Sequence, residues 1–152
     1  MKTNYHEKIL FRVYNNILEK YTVETLWGIR QKNASHYEID SIPFYATIAC
    51  GDIVLAEYDE DEQTTAFKEI LEHSGNSTVQ VIILTETLEI NSLRNLLNRM
   101  GCESEALDSK YFTINVPYNI QYTPVKNKLQ ELEDLGQIGY AEPVLSSKHS
   151  GE

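Results

Sequence analysis

The sequence predicts an α+β fold: an N-terminal SH3-like curled antiparallel β-sheet or partial barrel, joined to a C-terminal ferredoxin-like β-α-β-β-α-β lobe. Three observations predict it. Between residues 22 and 76, about five short β-branched and aromatic segments follow one another across polar turns. From Thr78 onward, two segments with apolar residues at helical spacing alternate with strand-like runs. The chain has 152 residues, 41% of them hydrophobic, which suits one ordinary globular domain or two very small ones sharing a core. The expectation is therefore a single compact domain over 1–152 with two lobes, about 22–76 and about 77–146. The strand from Thr78 to Leu84 is expected to serve both lobes, and residues 147–152 to form a frayed polar tail.

Taken in order, "KILFRVYNN" reads as a first strand or as a short helix running on to Ile17 and Leu18. "TVETLWGIR" sets Val23, Thr25, Trp27 and Ile29 on one face against Thr22, Glu24, Leu26, Gly28 and Arg30 on the other, a strand pattern. "HYEID" is a short strand with Tyr37 and Ile39 on one face. Pro43 forces an extended path after it. "DIVLAEYDE" and "TTAFKEILEHS" are strands around an acidic turn, and "GN" turns into the β-branched run "STVQVIILTE". In the next segment Ile90, Leu93, Leu96, Leu97 and Met100 share a helical face, with Thr87 as N-cap, Glu89 in the first turn and Gly101 as C′. "CESEALD" and "KYFTINVP" are strands. A second helix buries Val125, Leu129 and Leu132, with Thr123 as N-cap, Pro124 at its first position and Gly136 as C′. "QIGYAEPVL" is a final strand, placed at a sheet edge by Pro143.

Charge restricts the partners. Thirteen basic against 23 acidic side chains give a net charge of -10, which repels phosphate backbones and steers cationic partners. No nucleic-acid partner is expected on that ground. No apolar run approaches a membrane span, and the start "MKTNYHEKIL" has no apolar signal core, so the expected location is the cytoplasm with reduced thiols.

Little in the sequence points to catalysis. His6, His36, His73 and His149 show no metal-ligand spacing with each other or with Cys50 and Cys102, and no phosphate-binding glycine motif occurs. No metal or cofactor is expected. Cys50 precedes Gly51-Asp52, and acid nearby raises a thiol pKa, so the stretch reads as a turn and not as a nucleophile. Cys102 reads as core. "SGNS" at 74–77 lacks the nucleophile elbow of a serine hydrolase. The chain is not expected to be an enzyme.

The candidate contact surface is acidic. From Asp52 to Glu62 there are six acids and no base, and Tyr58 lies among them. Asp52, Glu57, Tyr58, Asp59, Glu60, Asp61 and Glu62 are the expected partner-binding residues, since tyrosine anchors interfaces and the acids suit a basic partner. The chain also holds 10 tyrosines, of which Tyr5, Tyr14, Tyr21, Tyr37, Tyr58, Tyr111, Tyr118, Tyr122 and Tyr140 include several that flank acids or polar residues, a composition that suits protein binding, although half-buried strand edges favour tyrosine in any case.

Several short stretches carry a resemblance. "ETLWG", "YEIDSIPFYA", "CGDIVLA", "EHSGNSTVQV", "MGCESE", "YFTINVP" and "GYAEP", in that order, resemble the bacterial family named domain of unknown function 4265. The resemblance covers roughly residues 22 to 145 and rests on turns, strand bends and core aromatics rather than a catalytic signature. It implies no activity. By class analogy, small acidic proteins of this kind stand beside bacterial toxins, including those of contact-dependent inhibition, as immunity proteins. The expected function is capture of a cognate toxin domain, a basic nuclease, by occluding its active site or substrate groove, as a monomer or weak dimer. The alternative is a regulatory or small-ligand module with another partner.

Overall fold

Along residues 6–15 the chain takes the strand, β1 (His6–Asn15), and not the helix. The computed structural model describes residues 5–15 and 19–152, so the run through Ile17 and Leu18 lies outside the described residues. β1 pairs antiparallel with β2 (Lys20–Arg30) from His6↔Ile29 to Asn15↔Lys20. β3 (His36–Ile39), β4 (Ile53–Asp59) and β5 (Thr64–Glu72) follow as antiparallel neighbours. β5 then meets β1 in parallel at Leu10↔Ala66, so the sheet is a closed barrel and not a partial one.

Ile9, Phe11, Leu26, Tyr37, Ile39 and Val54 fill the barrel. The inward face of β2 is therefore Leu26 and Gly28, while Trp27 is only half-buried and Val23 is exposed. Glycine at position 28 leaves room for Ile9. A Cβ there would lie 2.4 Å from Ile9 Cδ1 and 3.2 Å from Tyr37 Cβ, so any side chain would force the end of Ile9 to move and press on Tyr37.

The chain divides into two compact units, Met1–Ser74 and Gly75–Glu152, each with its own core. The second runs β6 (Ser77–Ile83), α1 (Ile90–Arg99), β7 (Glu103–Ala106), β8 (Tyr111–Val116), α2 (Thr123–Asp134), β9 (Ile138–Val144) and α3 (Ser147–Ser150). Its four strands stand in the order β7-β8-β6-β9, every neighbour antiparallel. β6 is central in this sheet, paired to β8 and β9, and is not a strand shared by two lobes. Val79, Val81, Phe112 and Ile114 pack against Leu93 and Leu97 of α1 and Val125 and Leu129 of α2. Both helices thus cover the same face of the sheet. Pro143 lies in β9 at the edge, where the pairing with β6 is irregular between Thr78 and Gln80.

Both helix starts differ from the expectation. α1 is capped by Glu89, whose carboxylate accepts the Asn91 and Ser92 amides at 2.9 Å each, while Thr87 bonds instead to Thr85. α2 begins one residue earlier than expected: Tyr122 is its N-cap and makes no side-chain capping bond, Thr123 is already helical, and Pro124 is second. Its first amides go to Glu152, which accepts Tyr122 N at 2.9 Å and Thr123 N at 2.7 Å. Gly101 and Gly136 end the helices as expected, with φ of 102° and 73°.

The tail is therefore folded, not frayed. His149 is buried, with Nδ1 2.6 Å from Ser77 Oγ and Nε2 3.1 Å from both Pro117 O and Ile120 O. Two carbonyl neighbours require the hydrogen on Nε2, so the Ser77 hydroxyl donates to Nδ1 while its oxygen accepts Ser146 N at 2.9 Å. His149→Ala leaves Ser77 and the carbonyls unpaired in a buried place. We expect it to cost roughly 2–4 kcal/mol, read as a lower urea midpoint at unchanged slope.

Candidate interaction surface

The stretch Cys50-Gly51-Asp52 is a turn, with Gly51 at a φ of 87°. Asp52 is 1% exposed. One carboxylate oxygen accepts Ala49 N at 3.0 Å and the other Ser74 N at 2.8 Å, so the side chain ties the turn to the residues after β5. That removes Asp52 from the contact surface: two amides shielded from water need an acceptor, and the carboxylate points inward to serve them. Cys50 is half-buried, its Sγ 3.7 Å from Ile39 O, and neither cysteine is disulfide-bonded. Cys102 is fully buried, and burial pushes its thiol up to about 11.

The other six candidates lie on the β4–β5 hairpin and do different things. Asp59 closes the turn by accepting Glu62 N at 3.2 Å and Asp61 N at 2.9 Å, bonds that hold its carboxyl below the usual carboxylate range. Glu62 is ion-paired with Arg12 of β1. Glu57, Tyr58, Glu60 and Asp61 are exposed, and their side chains make no hydrogen bond or ion pair among the described residues. Tyr58 is 65% exposed. The tip is thus fixed by two of its acids and presents three others with one aromatic ring.

Arg12 connects this tip to a second feature that the sequence pattern concealed. The register sets Arg12 opposite Val23 and Tyr14 opposite Tyr21, all on the outer face of β1–β2. Tyr14 and Tyr21 meet edge to face at 5.1 Å between ring centres, and with Val23 they stay exposed. Further along the same face Lys8 Nζ lies 5.5 Å from the centre of the Trp27 ring. The more apolar-looking side of "TVETLWGIR" therefore faces outward. Its opposite side is committed by Glu24, which accepts Phe44 N at 2.6 Å, Ala46 N at 2.8 Å and Tyr45 N at 3.1 Å. A glutamate on the inward side of a strand was the available signal.

A polar cluster joins four barrel strands. Glu7 accepts Arg30 at 2.7 Å, Tyr37 OH at 3.2 Å and the Thr65 hydroxyl. Partial burial raises the Glu7 pKa, but the bonds from Thr65, Arg30 and Tyr37 together bring it below its ordinary 4.5. Among the described residues there is no group of three or more His, Cys, Asp or Glu that could hold a metal ion. Nor, among them, is any helix long and apolar enough to cross a membrane. The Ser77–His149 pair resembles catalytic chemistry only by residue type, because Ser77 is fully buried and its oxygen is already bonded to Ser146.

Fold and surface together define an α+β protein built mostly of antiparallel strands, with an acidic hairpin beside an aromatic ribbon. The chain belongs to the family described as "Domain of unknown function (DUF4265)", whose model matches residues 24–140. A solved structure described as a hypothetical protein from Neisseria gonorrhoeae has the same fold, with a TM-score of 0.81 and 20% identity. The superposition covers 95% of this chain and 99% of that one. No curated protein matches the chain.

Two measurements follow from these geometries. A depressed Glu7 pKa adds stability above the unfolded value, and that stability is lost as pH falls through the folded value. Glu7→Gln should therefore flatten the stability loss below about pH 4.5 in acid titrations followed by circular dichroism. In a Cys50→Ser protein, Cys102 should stay unmodified by iodoacetamide at pH 8 and react fully in urea.

Proposed function

We propose that this chain is an immunity protein, a binding module that captures a basic toxin domain and occludes its active site or substrate groove. The observation that carries the reading is the β4–β5 tip: Glu57, Tyr58, Glu60 and Asp61 are exposed and unengaged among the described residues, while Asp59 and Glu62 hold the hairpin in place. A net charge of -10 speeds encounter with a cationic surface, and the tyrosine adds contact area at small entropic cost. The inhibition contains no catalytic step. The protein acts in the cytoplasm as a monomer or weak dimer, and needs no cofactor. We read its two units as an SH3-like barrel and a ferredoxin-like sandwich; strand number in the first and strand order in the second support that reading.

A second reading, a small-ligand or regulatory module, is favoured by one observation. Ile82, Gly139 and Ala141 line a hollow of about 310 Å³ on the second unit's sheet.

The test is co-expression with toxin domains encoded beside the gene, scored by growth, with association measured on the purified pair. Growth rescue, with association that slows steeply with salt, is expected. Glu57→Lys, Glu60→Lys and Asp61→Lys together should weaken capture at least about tenfold. Rescue that survives the triple reversal with salt-independent association would end the acidic-surface reading.

A further inference from the structure

We propose that the contact surface extends from the acidic tip onto the outer face of the β1–β2 ribbon, and that it takes an arginine-bearing segment of a partner protein in preference to a lysine-bearing one. This rests on the reading of the tip given above and specifies the chemistry of its partner. Tyr14, Tyr21 and Val23 form an exposed aromatic and apolar patch, with Tyr21 67% exposed. Arg12, on the same face, pairs with Glu62 and so places this patch beside the hairpin that carries Glu57, Glu60 and Asp61. Apolar rings next to unpaired carboxylates are the two halves of a guanidinium site. The carboxylate takes the forked N–H groups, and the ring face takes the flat cation. An ammonium ion satisfies the carboxylates but stacks less well, because it is compact and strongly hydrated. Within the chain the carboxylate contact is made by a guanidinium, Arg12 against Glu62, and a ring of the same face takes a cation, the Lys8 ammonium over Trp27. Arg12 does not oppose an incoming cation, since Glu62 neutralises it.

Fluorescein-labelled nona-arginine and nona-lysine peptides carry equal charge and serve as probes, with binding read by anisotropy at low salt on the full chain. Nona-arginine should bind about fivefold or more tightly than nona-lysine. Tyr14→Ala combined with Tyr21→Ala should erase that preference, weakening nona-arginine more than nona-lysine. Tyr14→Phe with Tyr21→Phe keeps the rings and should retain the preference, which separates ring stacking from a folding defect. Glu60→Lys with Asp61→Lys should weaken both peptides. Equal affinity for the two peptides, or a preference that survives removal of both rings, overturns the proposal. If the charge reversals weaken binding but the ring removals change nothing, the arginine inference fails and the acidic tip stands. If the reversals change nothing, the acidic tip fails as well.

Discussion

The interaction on which this structure depends is a carboxylate accepting backbone amides. Turns, helix starts and the 40–52 connection leave N–H groups outside any ladder, and each needs an acceptor if water is excluded. Here the acceptor is repeatedly an acid. Glu24 takes three amides of the 44–46 segment. Asp52 ties residue 49 to residue 74. Asp59, Glu89 and Asp108 each close a turn or cap a helix over two amides. Glu152 begins α2 from the far end of the sequence. These contacts are charge-assisted and so stronger than neutral ones.

That device alters the meaning of the acidic composition. A net charge of -10 invites the inference of a surface made for a basic partner. Six of the 23 acids, those just named, are occupied by the chain's own amides. Ionised, they still contribute to the long-range field and therefore to steering. They are not free to form contacts at a partner's surface. The distinction separates encounter, which the whole charge governs, from docking, which needs carboxylates with unused acceptors. Glu57, Glu60 and Asp61 belong to the second group, and Asp52 to the first.

How far the sequence disclosed this follows from the range of each interaction. The alternation in residues 22–30, the helical spacing from Ile90 to Met100 and the C′ glycines are local signals, and the corresponding elements stand where they were expected. The second unit's element order was legible for the same reason. The caps were not. Glutamate ranks low among N-cap residues, and Glu152 reaches α2 across about 30 residues, a separation that no spacing rule spans. The tail looked frayed because its composition is polar, yet His149 carries the hydrogen-bond pair that seals it. Barrel closure was hidden similarly, since β1 and β5 are far apart in sequence. The outward face of β2 was visible as a pattern, but which face was inward depended on Gly28 leaving room for Ile9 and on Glu24 being used by the next loop.

The same bonding bears on how the hairpin tip would meet a partner. Four neighbouring acids repel one another, and a free loop bearing them would sample many arrangements and lose that freedom on binding. Asp59 instead folds the turn over two of its own amides, and Arg12 draws Glu62 onto β1. The ordering cost of the hairpin is thus largely met in the folded chain by two of the four acids. Glu60 and Asp61 remain as charges on a prearranged frame, beside Glu57 and Tyr58 at the end of β4. A partner must then desolvate and pair these side chains but need not organise the backbone that holds them. Using some acids as brackets so that others can stand ready is a physical reason for a tip this dense in like charge to be ordered.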